Sequence, residues 1–190
     1  MRVKALRRGM ALTLAVSMGT TAVLLALEGR WREAIPLHLC SVSALCAVAL
    51  ALRPRQATLD FLWYLSMPGA ALALVFPAPA VSRWQGLMSA AYGITHAMIL
   101  IIPGMLMARG MRPRRGRTPA MLLALHALAL PAWGINRLLG TDFLFLMAPP
   151  AGTPLEAVFG WGYAPYLLAL EAMMIALCML METLLGTAGQ

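Results

Sequence analysis

Continuous apolar runs, each about the 20 residues that a helix needs to cross a bilayer, restrict this chain more than any other feature. Six are read along the sequence, over 9–27, 34–52, 58–77, 84–108, 118–139 and 158–184. Charged or Pro/Gly-rich connectors separate them at 28–33, 53–56, 77–83 and 109–117, with a longer one at 140–157. A β-barrel does not fit, because its strands alternate apolar and polar residues over only about 10 positions. A soluble fold does not fit either. Of 190 residues, 61% are apolar and 12% charged, against roughly 25% charged in a soluble domain. The expectation is an all-α, polytopic transmembrane helical bundle of about six helices, one domain over 1–190, with membrane lipids as its partners.

A net charge of +8 raises the question of nucleic acid. The cations stand at the ends of apolar runs rather than along one polar face, so they read as orientation signals and no nucleic-acid partner is expected. With the N-terminus inside, the cytoplasm receives Arg2, Lys4, Arg7, Arg8, Arg53, Arg55, Arg109, Arg112, Arg114, Arg115 and Arg117, and the outside only Arg30, Arg32, Arg83 and Arg137. Six spans return the C-terminus to the cytoplasm, and the membrane expected is a bacterial inner membrane. Trp31, Trp84, Trp133 and Trp161 fall at outer ends and Trp63 near an inner one, as interfacial aromatics do. The first run continues to Leu27 without a small-residue cleavage site, so it reads as an uncleaved anchor rather than a signal peptide. Cys40 and Cys46 lie about 9 Å apart along one helix, too far for a disulfide.

Ionisable groups within spans are costly and therefore mark candidate sites. They are His38 and Cys40 in the second run, His96 in the fourth, His126 in the fifth and Glu171 in the sixth. Asp60 stands at the inner end of the third, where water is expected to reach it. Cys40 is thirteen residues from Arg53, and His96 is thirteen from Arg109. At about 1.5 Å per residue, two helices running the same way then hold a thiol and an imidazole at one depth, roughly 20 Å from the inner surface. Pro36 suits a first helical position, which puts Cys40 about one turn into the helix, near the positive end of its dipole. That setting favours a thiolate; the competing reading is a small buried hydrophobe. Ser89, Tyr92 and His96 share a helical face, so Tyr92 can bond His96 or a substrate headgroup. Asn136 and the Thr141-Asp142 pair stand at the outer mouth. Glu171 either orients a histidine, carries a proton or pairs structurally, and His126 has no recognisable partner. Met67-Pro68-Gly69 is expected to kink the third helix.

Four segments together carry a resemblance: Leu37-His38-Leu39-Cys40 after Pro36; Thr95-His96; Asn136 to Thr141; and Phe145-Leu146-Met147 leading into Pro149-Pro150-Ala151-Gly152-Thr153-Pro154. Over about 33–175 the chain resembles the YwaF-like bacterial integral membrane proteins, which are distantly similar to the eukaryotic transmembrane protein 164 family. The resemblance implies cysteine-dependent acyl transfer onto phospholipids, with Cys40 and His96 in the places of the cysteine and histidine. Members often carry a further helix before the present N-terminus. They also carry an Asn-Tyr pair where Asp142-Phe143 stands, and often a basic residue where Ala148 stands.

The expected function is therefore a membrane-embedded acyltransferase or lipase-like enzyme. Cys40 is the nucleophile and His96 the base, and Asn136 or a Gly140–Thr141 amide is a candidate for the oxyanion. His38, Tyr92, Asn136, Thr141 and Glu171 are the substrate-binding candidates. The alternative is a non-catalytic membrane protein that binds a lipid or small solute, or assists a transporter. Shared metal binding by His38, His96 and Glu171 has no supporting ligand spacing, and no cofactor is expected, since no Gly-rich phosphate loop is present.

Overall fold

The computed structural model describes residues 2–77, 82–150 and 152–187, so residues 78–81 of the third connector and Ala151 of the fifth lie outside the described residues. The described chain is helical, with α1 (Arg2–Leu27), α2 (Leu39–Leu52), α3 (Gln56–Val75), α4 (Gln85–Met107), α5 (Thr118–Leu139), the short α6 (Leu155–Phe159) and α7 (Tyr163–Thr187). Five of these helices, α1, α3, α4, α5 and α7, are long and apolar enough to cross a membrane. The sixth expected place is filled by α2, whose 14 residues span about 21 Å.

Boundaries differ from expectation where backbone chemistry, which hydropathy does not register, sets them. The second run does not turn helical at Pro36. Trp31–Ala34 forms a 3-10 turn, Leu37 N bonds Ile35 O at 2.8 Å, and His38 is an extended N-cap with φ −66 and ψ 146. Ile35, the residue before the proline, is extended, and the helix starts only at Leu39. In the third run the expected kink at Pro68 takes the form of a π-helical turn, Leu62–Ser66, with Met67 N bonded back to Leu62 O. Pro68 lacks an amide hydrogen and its ring crowds the carbonyl four residues back; the wider turn relieves both. The sixth run is divided, with α6 set apart from α7 by Gly160–Gly162.

Two compact units make up the chain, 1–114 and 115–190. In the first, α1, α2, α3 and α4 share a core in which Leu14, Ala44, Ala47, Leu50, Leu59, Leu62, Ile99 and Ile102 are fully buried. Alanines on the inward face of α2 let neighbouring backbones come close, the usual means of helix association in lipid. Polar bonds fix the register. Ser17 donates to Ala91 O at 2.8 Å and meets Thr95 Oγ1 at 2.9 Å, tying α1 to α4, while Ser43 donates to Ser66 at 2.7 Å, tying α2 to α3. At the basic end, Arg7 donates to Ala51 O at 2.7 Å and Leu52 O at 3.1 Å, satisfying carbonyls that the end of α2 leaves over. Asp60 is fully buried, contrary to the expectation of water access. Its carboxylate accepts from Gln56 Nε2 at 3.0 Å, Arg114 N at 2.9 Å and Arg114 Nε at 2.8 Å, so the loop after α4 is stapled to α3.

The opposite end of this unit is held by Glu28, which accepts from Ser82 Oγ at 2.6 Å and Arg83 N at 2.9 Å. The Ser82 hydroxyl holds Glu28 below its ordinary value of 4.5; the Arg83 amide and Arg30 add to this, while burial acts against it. A carboxylate whose pKa is lowered by folding stabilises the fold above its unfolded pKa, and that contribution fades as pH falls through the folded value. Glu28→Gln is therefore expected to lower the unfolding temperature at neutral pH, with the gap from wild type closing progressively below pH 4.5. A pH series of melting curves in detergent micelles checks this.

In the second unit α5 and α7 form an antiparallel pair joined at three levels. Glu182 accepts from Gly116 N and from Thr118 Oγ1 at 3.0 Å; Glu171 Oε2 lies 3.3 Å from His126 Nε2; and Trp133 Nε1 donates to Tyr163 OH at 3.2 Å. Gly140 ends α5 in the left-handed region, φ 66 and ψ 36, a conformation that glycine adopts without strain.

Candidate functional site

Cys40 is the second residue of α2, closer to the helix start than the one turn expected from Pro36. The amides of Leu39, Cys40 and Ser41 belong to the first turn, ahead of the first intrahelical bond, Val42 N to His38 O at 3.0 Å. Such amides point out of the helix start and favour negative charge. The Cys40 side chain lies on the inward face of α2 and packs against the core of the first unit.

His96 lies on the inward face of α4, in line with Ile99, Pro103 and Leu106, and only 5% of it is exposed. Its Nδ1 is 2.8 Å from Tyr92 O. A carbonyl oxygen only accepts, so Nδ1 carries the proton and the neutral ring keeps its lone pair on Nε2. Tyr92 also stacks on the imidazole with ring centroids 4.1 Å apart and donates to Ala73 O at 3.2 Å. The histidine is thus held in one tautomer by its own helix and in one orientation by its neighbour.

Helices α2 and α4 pack against each other and run in the same direction. Cys40 precedes Ala44 by one turn, and His96 precedes Ile99 by about one turn; both Ala44 and Ile99 belong to the one core. Among the described residues no hydrogen bond joins the thiol to the imidazole; nucleophile–base contacts in resting enzymes are often loose and tighten when substrate binds.

The remaining candidates separate. His38 caps α2 through its backbone, with no capping bond from its side chain. Asn136, 2% exposed, belongs to the second unit. Its Oδ1 accepts from Phe143 N at 2.8 Å and Thr141 Oγ1 at 3.0 Å, and its Nδ2 donates to Phe143 O at 3.0 Å. The carboxamide thus shapes the 140–148 loop. Asp142 continues that loop by accepting from Met147 N at 2.8 Å and Ala148 N at 3.2 Å. Glu171 meets His126, the histidine for which sequence offered no partner. His126 Nδ1 faces Leu122 O at 2.8 Å and its Nε2 faces the Glu171 carboxylate, so the ring ties α5 to α7.

Sequence reasoning missed Ser17 and Thr95, the bond that sets α4 against α1. Thr95 stood next to His96 in the segment that carried the resemblance, so it was the one detectable signal. An apolar groove of about 450 Å³ runs between α1 and α4, lined by Leu12, Val16, Ala91 and Ile94 with Ser17 at its base.

The TMEM164 family model matches residues 2–182. No curated protein and no solved structure matches the chain.

Proposed function

Because the chain belongs to the TMEM164 family, we propose that this multi-pass membrane protein is a phospholipid acyltransferase of the YwaF-like bacterial branch, using Cys40 as nucleophile and His96 as base. The observation that carries the reading is the pairing of faces. Two helices that pack in parallel both turn these side chains inward, about one turn to the same side of a common core. The imidazole keeps its lone pair on Nε2, the form that a base requires.

In the proposed reaction, His96 Nε2 takes the thiol proton as Cys40 Sγ attacks the acyl carbonyl carbon. The carbonyl electrons move onto oxygen, where the first-turn amides of α2 offer hydrogen bonds. This oxyanion role passes to α2 from Asn136, whose amide is engaged with Phe143. Collapse of the tetrahedral intermediate breaks the ester bond, and the departing lysolipid oxygen takes the proton from His96. An acceptor hydroxyl then gives its proton to His96, attacks the thioester and displaces the sulfur, which recovers the proton. His38 and Tyr92 are assigned to the headgroup side of the site. Asn136 and Thr141 are assigned to shaping the 140–148 loop of the second unit, and Glu171 with His126 to joining α5 and α7. The eleven-to-four distribution of cations supports cytoplasmic termini in a bacterial inner membrane.

A non-catalytic lipid-binding role is favoured by one feature, the groove between α1 and α4. Acyl exchange between labelled phospholipids in proteoliposomes separates the two readings. Transfer is expected from wild type and from Cys46→Ala and to be lost in Cys40→Ala. Exchange that persists in Cys40→Ala removes the catalytic reading.

A further inference from the structure

The basic end of the first unit carries more cations than its fold uses. Three segments converge there: Arg7 of α1 bonds the last carbonyls of α2, Gln56 Nε2 donates to Arg112 O at 2.8 Å, and Asp60 takes the amide and guanidinium of Arg114. These bonds occupy Arg7 and Arg114. Arg8, Arg53, Arg55, Arg109 and Arg112 are all exposed at the same end. Among the described residues of the first unit, the carboxylate at this end is Asp60, fully buried and already matched to Arg114. A cluster of like charges held together by the fold, with its own counter-charge spent internally, needs anions from outside.

The side chains beside this cluster indicate the kind of anion. Leu6 and Leu52 are each 52% exposed and stand next in the chain to Arg7 and Arg53, where the apolar surface ends. A soluble polyanion would leave those leucines in water. A phospholipid covers them with its acyl chains while its phosphate meets the guanidinium groups, which bind phosphate through paired, fork-like donors.

From this convergence we infer that the end of the first unit formed by the start of α1, the α2–α3 turn and the end of α4 is a binding surface for the headgroups of anionic phospholipids. It is separate from the proposed acyl-transfer site, which lies toward the other end of α2 and α4, and it does not depend on that chemistry. The surface selects lipid by charge and holds the basic end at a negatively charged leaflet.

The test uses the full chain in nanodiscs of phosphatidylcholine with a minority of phosphatidylglycerol, followed by mild detergent extraction and native mass spectrometry of the retained lipids. Wild type is expected to retain phosphatidylglycerol in clear excess over its share. Arg53→Gln with Arg55→Gln is expected to reduce that selectivity about 30-fold, the factor given by the usual contribution of two cations near a charged membrane surface. Arg53→Lys with Arg55→Lys retains most of it. Arg8→Gln with Arg109→Gln removes two charges from other helices and is expected to give a comparable loss, so a folding defect in one pair does not decide the result. Arg32→Gln with Arg83→Gln, at the opposite end, leaves selectivity unchanged. Equal retention of the two lipids by wild type overturns the inference, as does undiminished selectivity in both glutamine pairs. A surface that takes inorganic phosphate as readily as phosphatidylglycerol overturns the lipid assignment.

Discussion

Acyl transfer by a Cys40→Ala, His96→Ala double variant is expected to be no slower than transfer by Cys40→Ala alone. A base that works only by taking the proton of one thiol has nothing to do once that thiol is gone, so the two losses do not multiply. Singly, His96→Ala is expected to slow transfer by about 10²–10⁴-fold, the usual contribution of a general base, and Cys40→Ala is expected to reduce it to background. The structural basis is that Nδ1 is committed to Tyr92 O, leaving Nε2 as the basic atom on a ring held by the Tyr92 stack. His96→Gln retains a polar side chain of similar reach without a basic nitrogen, and it is expected to be as slow as His96→Ala. Initial rates in proteoliposomes for the four variants decide the matter; wild-type rates in His96→Ala or His96→Gln, or transfer above background in Cys40→Ala, would mean that the two residues do not act in one reaction.

The largest expected effect on stability lies at the other end of α3. Arg114→Met is expected to destabilise the protein by about 2 kcal/mol, the contribution of a charge-assisted hydrogen bond to a buried carboxylate from a half-exposed guanidinium. Asp60 would still accept from Gln56 and the residue 114 amide but would lose the guanidinium at a position with no exposed surface. Adding Asp60→Asn to Arg114→Met removes a buried charge that has lost one cation and is expected to recover part of the loss. Arg112→Met, at an exposed neighbour whose backbone carbonyl keeps its bond to Gln56, is expected to change stability by less than about 0.5 kcal/mol. Thermal or denaturant unfolding in micelles, read by circular dichroism, measures all three.

Where the ends of a helix coincide with charges, the sequence reading and the structure agree. α5 occupies 118–139 as read, and α4 begins and ends within one residue of its expected bounds, with Trp84 and Arg109 marking the two ends. The second span was overextended because Leu37 and the residues around it are apolar yet not helical; Pro36 and the extended His38 are backbone effects that hydropathy does not see. The π-helical turn before Pro68 was legible only as a disturbance, since its form depends on which carbonyl Met67 finds. The helical period placed Tyr92 on the face of His96, where its ring meets the imidazole. A shared face is a one-helix property and can be counted. Pairings between helices cannot be read that way. Asp60 and Arg114 stand 54 positions apart, and His126 and Glu171 meet only once the register of α5 against α7 is set. For the same reason Asn136 was a candidate for the oxyanion at the outer mouth, when its partners, Thr141 and Phe143, lie in the turn that it closes itself.

The central claim is that the Cys40 sulfur accepts an acyl group from a phospholipid, and trapping that species tests it most directly. Wild type and His96→Ala are incubated in liposomes containing a phospholipid with an isotopically labelled acyl chain, quenched in acid, and mapped by tandem mass spectrometry. The expected result is a labelled acyl thioester on Cys40, released by neutral hydroxylamine and absent from Cys40→Ala. Label confined to Cys46 or Cys178, or no thioester under conditions in which acyl chains are exchanged, would contradict the account.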